Sequence, residues 1–212
     1  MEADDRQLTA QGRERKQQLV ECAARLFAER GFAETRIKDI VDAAGVAKGL
    51  FYWYFENKDA LFAEVAADIR LRLRKHQAAA IDPGAGPLRQ IRQGTQPSVS
   101  FMAEHASFFS LLEVENPGAV TAESRRAGTD QHIRDVKALI RAGQAAGTIV
   151  DEDPDLLALG VVGAVGSYSH YHRTQRSTAP IDELAAFVAR SVVRTLASDA
   201  DAARDALSRR SD

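Results

Sequence analysis

The amino-acid sequence predicts an all-α protein with a small N-terminal three-helix domain and a larger helical domain behind it. Apolar residues recur at three- and four-residue spacing through almost every segment. Prolines and glycines fall mostly between those segments, and no stretch shows the period-two alternation of a strand. With 212 residues, 45% of them hydrophobic, the chain can bury a real core in one large or two small domains.

The first helix is marked by the apolar stripe Leu19, Val20, Ala23, Leu26 and Phe27, and Gly31 stands where a C-terminal glycine cap belongs. A second, short helix carries Ile37, Ile40, Val41 and Ala44 on one face. Gly45 ends it, because glycine takes the left-handed conformation without strain, and Val46 pins the turn to the core. A third helix starts near Ala47, with Phe51 and Phe55 four apart and therefore on one face, leaving Lys48, Tyr52 and Trp53 to point elsewhere. Helix, glycine turn, helix is the sequence form of a helix-turn-helix, whose second helix enters the DNA major groove.

Asn57 caps a long fourth helix with Asp59 in its first turn, its buried face running through Leu61, Phe62, Val65, Ala66, Ile69 and Leu73. The run from Asp82 to Pro87 breaks it. A segment with Leu88, Ile91, Phe101 and Met102 follows, interrupted by Gly94 and Pro97 and so expected to be kinked or split. Phe108 to Val114 form the next segment, ending at Asn116 and Pro117. A helix from about Val120 to Gln144 stops at Gly147; Asp153 and Pro154 open another through Leu156, Leu159, Val162 and Val165. Pro180 and Ile181 open the last, with Leu184, Phe187, Val188, Val192 and Leu196. The tail from Ser198, rich in Asp, Arg and Ala, is expected to fray.

The linked series Phe27-Ala-Glu-Arg-Gly31-Phe, Ile40, Ala44-Gly-Val-Ala-Lys-Gly49, Phe51-Tyr-Trp-Tyr-Phe55, Lys58 and Leu61 closely resembles the TetR family of bacterial transcriptional regulators. It covers about the first sixty residues; beyond them the likeness lies in length and helical character, not in motifs. The resemblance implies a DNA-binding domain at 1–56 and an effector-binding and dimerisation domain at 57–197; composition marks 198–212 as a charged, flexible tail. It implies a ligand-responsive homodimer, most commonly a repressor, that reads a near-palindromic double-stranded operator.

For DNA, Lys48 is the candidate base-edge contact, since an ammonium serves the guanine O6 and N7 acceptors. Leu50 and Trp53 offer apolar contact to thymine methyls, and Gly49 lets the backbone approach. The resemblance adds Tyr52, Tyr54 and Lys58 as phosphate contacts, with Thr35 and Arg36 at the start of the preceding helix. One of Tyr52 and Tyr54 fits a core position equally well. Two departures from the family pattern stand out: Ala47 replaces a small hydroxyl residue that would cap the recognition helix, and Leu50 replaces a commonly small residue. Arg36 likewise stands where a hydroxyl is common. The formal net charge of −2 argues against a DNA-binding role unless cations cluster locally, with Arg36, Lys38, Lys48 and Lys58 on one face and Asp39, Asp42 and Glu56 turned away. Arg13, Arg15 and Lys16 are either a basic arm or a solvated helix start.

Phe101, Met102, His105, Phe108, Phe109, Leu112, Glu113 and Tyr168 are the candidate walls of a pocket for a small, largely apolar effector, or else ordinary core. Gly160, Gly163, Ala164, Ala185, Ala189 and Val192 put small residues on the last two long helices and are the candidate dimer interface, or else pack within one subunit. An enzyme is not expected. His170 and His172 lie two apart on a helix and cannot chelate one metal together, and no phosphate loop, zinc spacing or nucleophile setting is present, so no cofactor or metal is called for. The single Cys22 fits a cytoplasmic chain, and no segment reads as a signal peptide or membrane span. An effector-binding or scaffolding dimer without specific DNA binding is the competing class.

Overall fold

The computed structural model of the chain describes residues 9–114, 118–174 and 178–208, with backbone alone for 111–114 and 118–128. Its regular structure is helical, ten helices among the described residues, joined by one isolated antiparallel bridge between Ile149 and Ala197. Two compact units emerge, Met1–Asp68 with Leu111–Arg125, and Ile69–Ser110 with Arg126–Asp212. The boundary read from sequence at 56/57 falls in the turn before the fourth helix, whereas the units part inside that helix.

In the first unit, α1 (Ala10–Arg30) is capped by Thr9, whose hydroxyl accepts from the Gly12 N–H at 3.1 Å. Leu19, Val20, Ala23, Leu26 and Phe27 are buried, as their spacing predicts. After Gly31 come α2 (Ile37–Ala44) and α3 (Lys48–Tyr54), which bury Ile40, Val41, Ala44 and Phe51 against α1 and each other. The rings of Phe27, Phe32 and Phe62 meet pairwise at 5.2–5.6 Å, tilted or edge-on, the arrangement that the ring quadrupoles favour. Phe62 belongs to α4 (Lys58–Ala80), whose first turn is capped as expected by Asn57 Oδ1, accepting from the Ala60 N–H at 2.8 Å.

In the second unit, α5 (Pro87–Glu104) runs unbroken through Gly94 and Pro97. The expected split does not occur: Leu88, Ile91, Thr95 and Val99 bury one face of the helix and Phe101 another, with α9 and α8 as its main neighbours. A single proline forgoes one backbone bond, whereas each buried aliphatic or aromatic side chain contributes roughly 1.5–3 kcal/mol. α6 (Ala106–Val114) and α7 (Gly118–Ala145) are shared between the two units, and α8 (Pro154–Arg173) and α9 (Ile181–Leu196) complete the second, α8 being capped by Asp153. The expected frayed tail is corrected: residues 200–207 form α10 (Ala200–Leu207), capped by Asp199. Ala206 enters the core and Arg89 donates to the Asp205 carbonyl at 2.6 Å, so a short apolar stripe and one strap outweigh the charged composition.

Gly45 decides the geometry of the turn between α2 and α3. Its φ of 64° is left-handed, its N–H bonds the Asp42 carbonyl, and the Val46 N–H reaches back to Val41 at 3.0 Å. That pair of bonds is a Schellman cap. A Cβ there would meet nothing within 4 Å, so the cost of a side chain is backbone strain alone. Gly45→Ala should lower the unfolding free energy by about 1–2 kcal/mol, measured by urea denaturation.

Candidate nucleic-acid interface

The outward face of α3 is set by what it buries. Phe51 and Phe55 go into the core, 5.7 Å apart, so the residues between them turn to solvent. Tyr52 and Trp53 are 51% and 52% exposed, beside the exposed Lys48 and Gly49. Lys48 Nζ lies 5.8 Å from the Tyr52 ring, and Tyr52 packs edge-on against Phe51. Gly49 has open space where a Cβ would stand; Leu50 is half-buried. Ala47 offers no side-chain cap, as its lack of a hydroxyl implies. Arg36 is exposed at the start of α2, its backbone N–H held by Asp39 Oδ2 at 2.9 Å.

Three expected DNA contacts are spent inside the protein. Thr35 is 0% exposed, and its hydroxyl donates to the Gly31 carbonyl at 2.7 Å. Tyr54 donates its phenol proton to the Gly12 carbonyl at 2.8 Å, clamping α3 to α1, so of the two tyrosines it is the one that packs inward. Lys58 donates to the Phe32, Thr35 and Ala33 carbonyls at 2.7, 3.0 and 3.4 Å, with its ammonium 4.2 Å from the Phe32 ring. An ammonium has three protons, and these bonds account for them. The three assignments are corrected on that ground.

The charge pattern is also tighter than expected. Asp42 does not turn away from Lys38; it accepts from Nζ at 2.5 Å, and that bond with the neighbouring carboxylate raises the lysine above its ordinary range. Lys16 pairs with Glu64 at 2.7 Å and Arg15 donates to Gln18. Arg36 and Lys48 enter no ion pair among the described residues, which leaves them as the cations of this face.

The second unit holds a chamber of about 290 Å³ between α4, α5, α7 and α8. Ile81, Ile91, Val136, Leu139, Val161 and Val165 wall it, with Gln77, Thr95 and Ser98 among them and Arg74, His132 and Asp135 on the same lining. None of the expected pocket residues whose side chains are described borders it. Phe101 and Phe108 are core, Phe101 lying 4.2 Å from the His105 ring, and Met102 packs on the core. Burial first, then Arg72, pushes the His105 imidazole down, and Arg72 Nη2 stands 3.5 Å from its Nε2. Phe109 lies edge-on to Phe108 and under the Arg173 guanidinium. Tyr168 meets Phe187 edge-on beside a surface hollow. The side chains of Leu112 and Glu113 lie outside those described. Helical period identifies buried faces but not which of them leaves a void; the available signal was polar residues on apolar stripes, Gln77 four after Leu73 and Thr95 four after Ile91.

The small residues of α9 are corrected as well. Ala185, Ala189 and Val192 are buried within this chain, where α9 packs on α5 and α8. Gly160 and Gly163 are exposed with open space at each Cβ position, and Ala164 is half-buried. The same side of α8 carries Leu156 and Leu159, 67% and 54% exposed, with Tyr171 further along; Phe187 is exposed on α9.

Residues 19–65 match the family model described as bacterial regulatory proteins, tetR family. Over that stretch the chain is similar to the TetR family. Over 102 residues it is 32% identical to the probable acrEF/envCD operon repressor of Escherichia coli strain K12, a stretch spanning 47% of this chain and 46% of that protein. It thus matches just under half the length of that relative. The similarity to the transcriptional repressor DhaR of Mycobacterium sp. strain GP1 is longer, 27% identity over 79% of this chain and 87% of that one. Among solved structures, a TetR-like transcriptional regulator from Rhodococcus sp. RHA1 aligns with a TM-score of 0.65 at 25% identity, covering 85% of this chain and 93% of that chain. The TetR-type arrangement, a helix-turn-helix unit followed by a larger helical one, is the fold described above. No helix among the described residues is long and apolar enough to cross a membrane.

Within this TetR-type unit, restoring the missing cap with Ala47→Ser should raise the unfolding free energy by about 1 kcal/mol. Lys58→Ala should lower it by about 2 kcal/mol, since three carbonyls lose a charged donor. Both are read from chemical denaturation, and opposite signs for the pair are required.

Proposed function

We propose that the protein is a dimeric transcriptional regulator, a repressor released from its operator by a small, largely apolar effector. The observation that carries the reading is α3: a short helix seated by Phe51 and Phe55 that turns Lys48, Gly49, Tyr52 and Trp53 outward, next to Arg36. Lys48 reads a base edge, Leu50 and Trp53 supply apolar contact, and Tyr52 and Arg36 fix the docking on phosphates. Repression is favoured by the name of the similar DhaR. Residues 1–56 serve as the DNA-binding part and 57–197 as the effector and dimer part, in the cytoplasm, with no catalytic chemistry.

The α4–α5–α7–α8 chamber takes the effector, replacing the pocket expected from sequence. Two copies associate through the exposed side of α8, by Leu156, Leu159, Gly160, Gly163 and Tyr171 with Phe187 of α9. Two recognition helices about one DNA turn apart, roughly 34 Å, then match a near-palindrome. Effector binding favours a head spacing that no longer fits the half-sites.

Random-site selection should return one near-palindromic sequence, and affinity for it should fall steeply with salt. Lys48→Ala should cost about 1–3 kcal/mol of discrimination at a single base position. Selection of no preferred sequence would favour a scaffolding or effector-binding dimer instead. Leu159→Arg should convert dimer to monomer in sedimentation velocity while leaving the helical circular dichroism intact; a variant still dimeric would move the interface elsewhere.

A further inference from the structure

We infer that the chamber selects a neutral, mostly apolar molecule bearing one hydroxyl group, which it receives on Gln77 and Thr95. This rests on the reading of the chamber as a ligand site and adds the chemistry of the ligand. Ser98 Oγ lies 2.6 Å from the Gly94 carbonyl and 2.7 Å from Gln77 Nε2. A carbonyl only accepts, so the single hydroxyl proton goes to Gly94 and the amide must present its N–H to Ser98. The orientation of Gln77 is thereby fixed. Its Oε1 and second N–H have no partner among the described residues, and the 8% of Gln77 still exposed belongs to a side chain that lines the chamber. Thr95 spends its proton on the Ile91 carbonyl at 2.7 Å and keeps its lone pairs.

The polar floor therefore offers two acceptors and one N–H. A hydroxyl donates to the first and accepts from the second. A carboxylate would set its lone pairs against both acceptors, and an ammonium would find no buried carboxylate on the lining. Arg74 and Asp135, both exposed, carry opposite charges, and His132 is held down in pKa mainly by burial, so the lining selects no net charge. Gln90, whose amide N–H groups go to the Pro83 and Ala85 carbonyls, also borders it, and the remaining walls are aliphatic. The volume sits at the low end of the roughly 300–1,000 Å³ of ligand pockets, suiting one ring with a short chain.

Calorimetric titration of the full chain with 4-propylphenol, 4-propyltoluene and 4-propylbenzoate tests this. The phenol should bind about tenfold more tightly than the toluene, with the benzoate weakest. Thr95→Val and Gln77→Met should each shrink the phenol's advantage without weakening the toluene. Ala78→Trp, at an exposed position on the lining, should abolish binding of all three. Equal phenol and toluene affinities, or a preference for benzoate, would overturn hydroxyl selection while leaving the chamber as a ligand site. Binding that persists in Ala78→Trp, or no binding by any of the three, would overturn the chamber reading as well.

Discussion

The three hydrogen bonds of the Lys58 ammonium are the constraint on which the outward face of the first unit depends. They tie the first residue of α4 to the carbonyls of Phe32, Ala33 and Thr35, in the connection that launches α2. Thr35 closes the same connection from inside, through Gly31 and Leu26. With the start of α2 fixed, the left-handed turn at Gly45 fixes where α3 begins, and the Tyr54 bond to Gly12 fixes its far end against α1. Charge-assisted bonds to carbonyls that would otherwise face water are stronger than neutral ones, and here they are anchored by the stack of Lys58 on Phe32.

Periodicity and punctuation made the helices of the first unit legible, because Gly31, Gly45 and Asn57 each do at the backbone what their residue type does best. What stayed hidden was the destination of individual polar groups. Thr35, Tyr54 and Lys58 all belong to residue types that contact phosphates, and nothing in their spacing says that a carbonyl of the same chain lies closer. The same limit governs the second unit. The small residues of α9 announce close helix approach, yet whether the neighbour is α5 of the same chain or a second copy depends on tertiary order. The chamber is a gap between four buried faces, and a gap has no sequence period. Composition misled at the tail, where Asp and Arg outnumber apolar residues but Ala206, with Ala202, Ala203 and Leu207 packed beside it, seats α10.

The small negative net charge is reconciled with a cationic α3 face by local cancellation. Asp42 and Glu64 neutralise Lys38 and Lys16, so the field near α3 comes from few charges, Lys48 and Arg36, the latter with Asp39 beside its backbone N–H. A protein built this way draws little long-range attraction to a polyanion. On the proposed reading its cations act at contact distance, where counterion release sets the salt dependence, and the exposed rings of Tyr52 and Trp53 supply much of the remaining surface.

Trp53 adds something further. It is the single tryptophan of the chain, half exposed on α3 and edge-on to Tyr54 at 4.6 Å. Its indole emission therefore originates wholly from the surface assigned to the operator, with no background from either core. The molecule carries an intrinsic optical reporter of that surface, and occupancy there can be followed in the unlabelled native protein by changes in emission and in access to a soluble quencher.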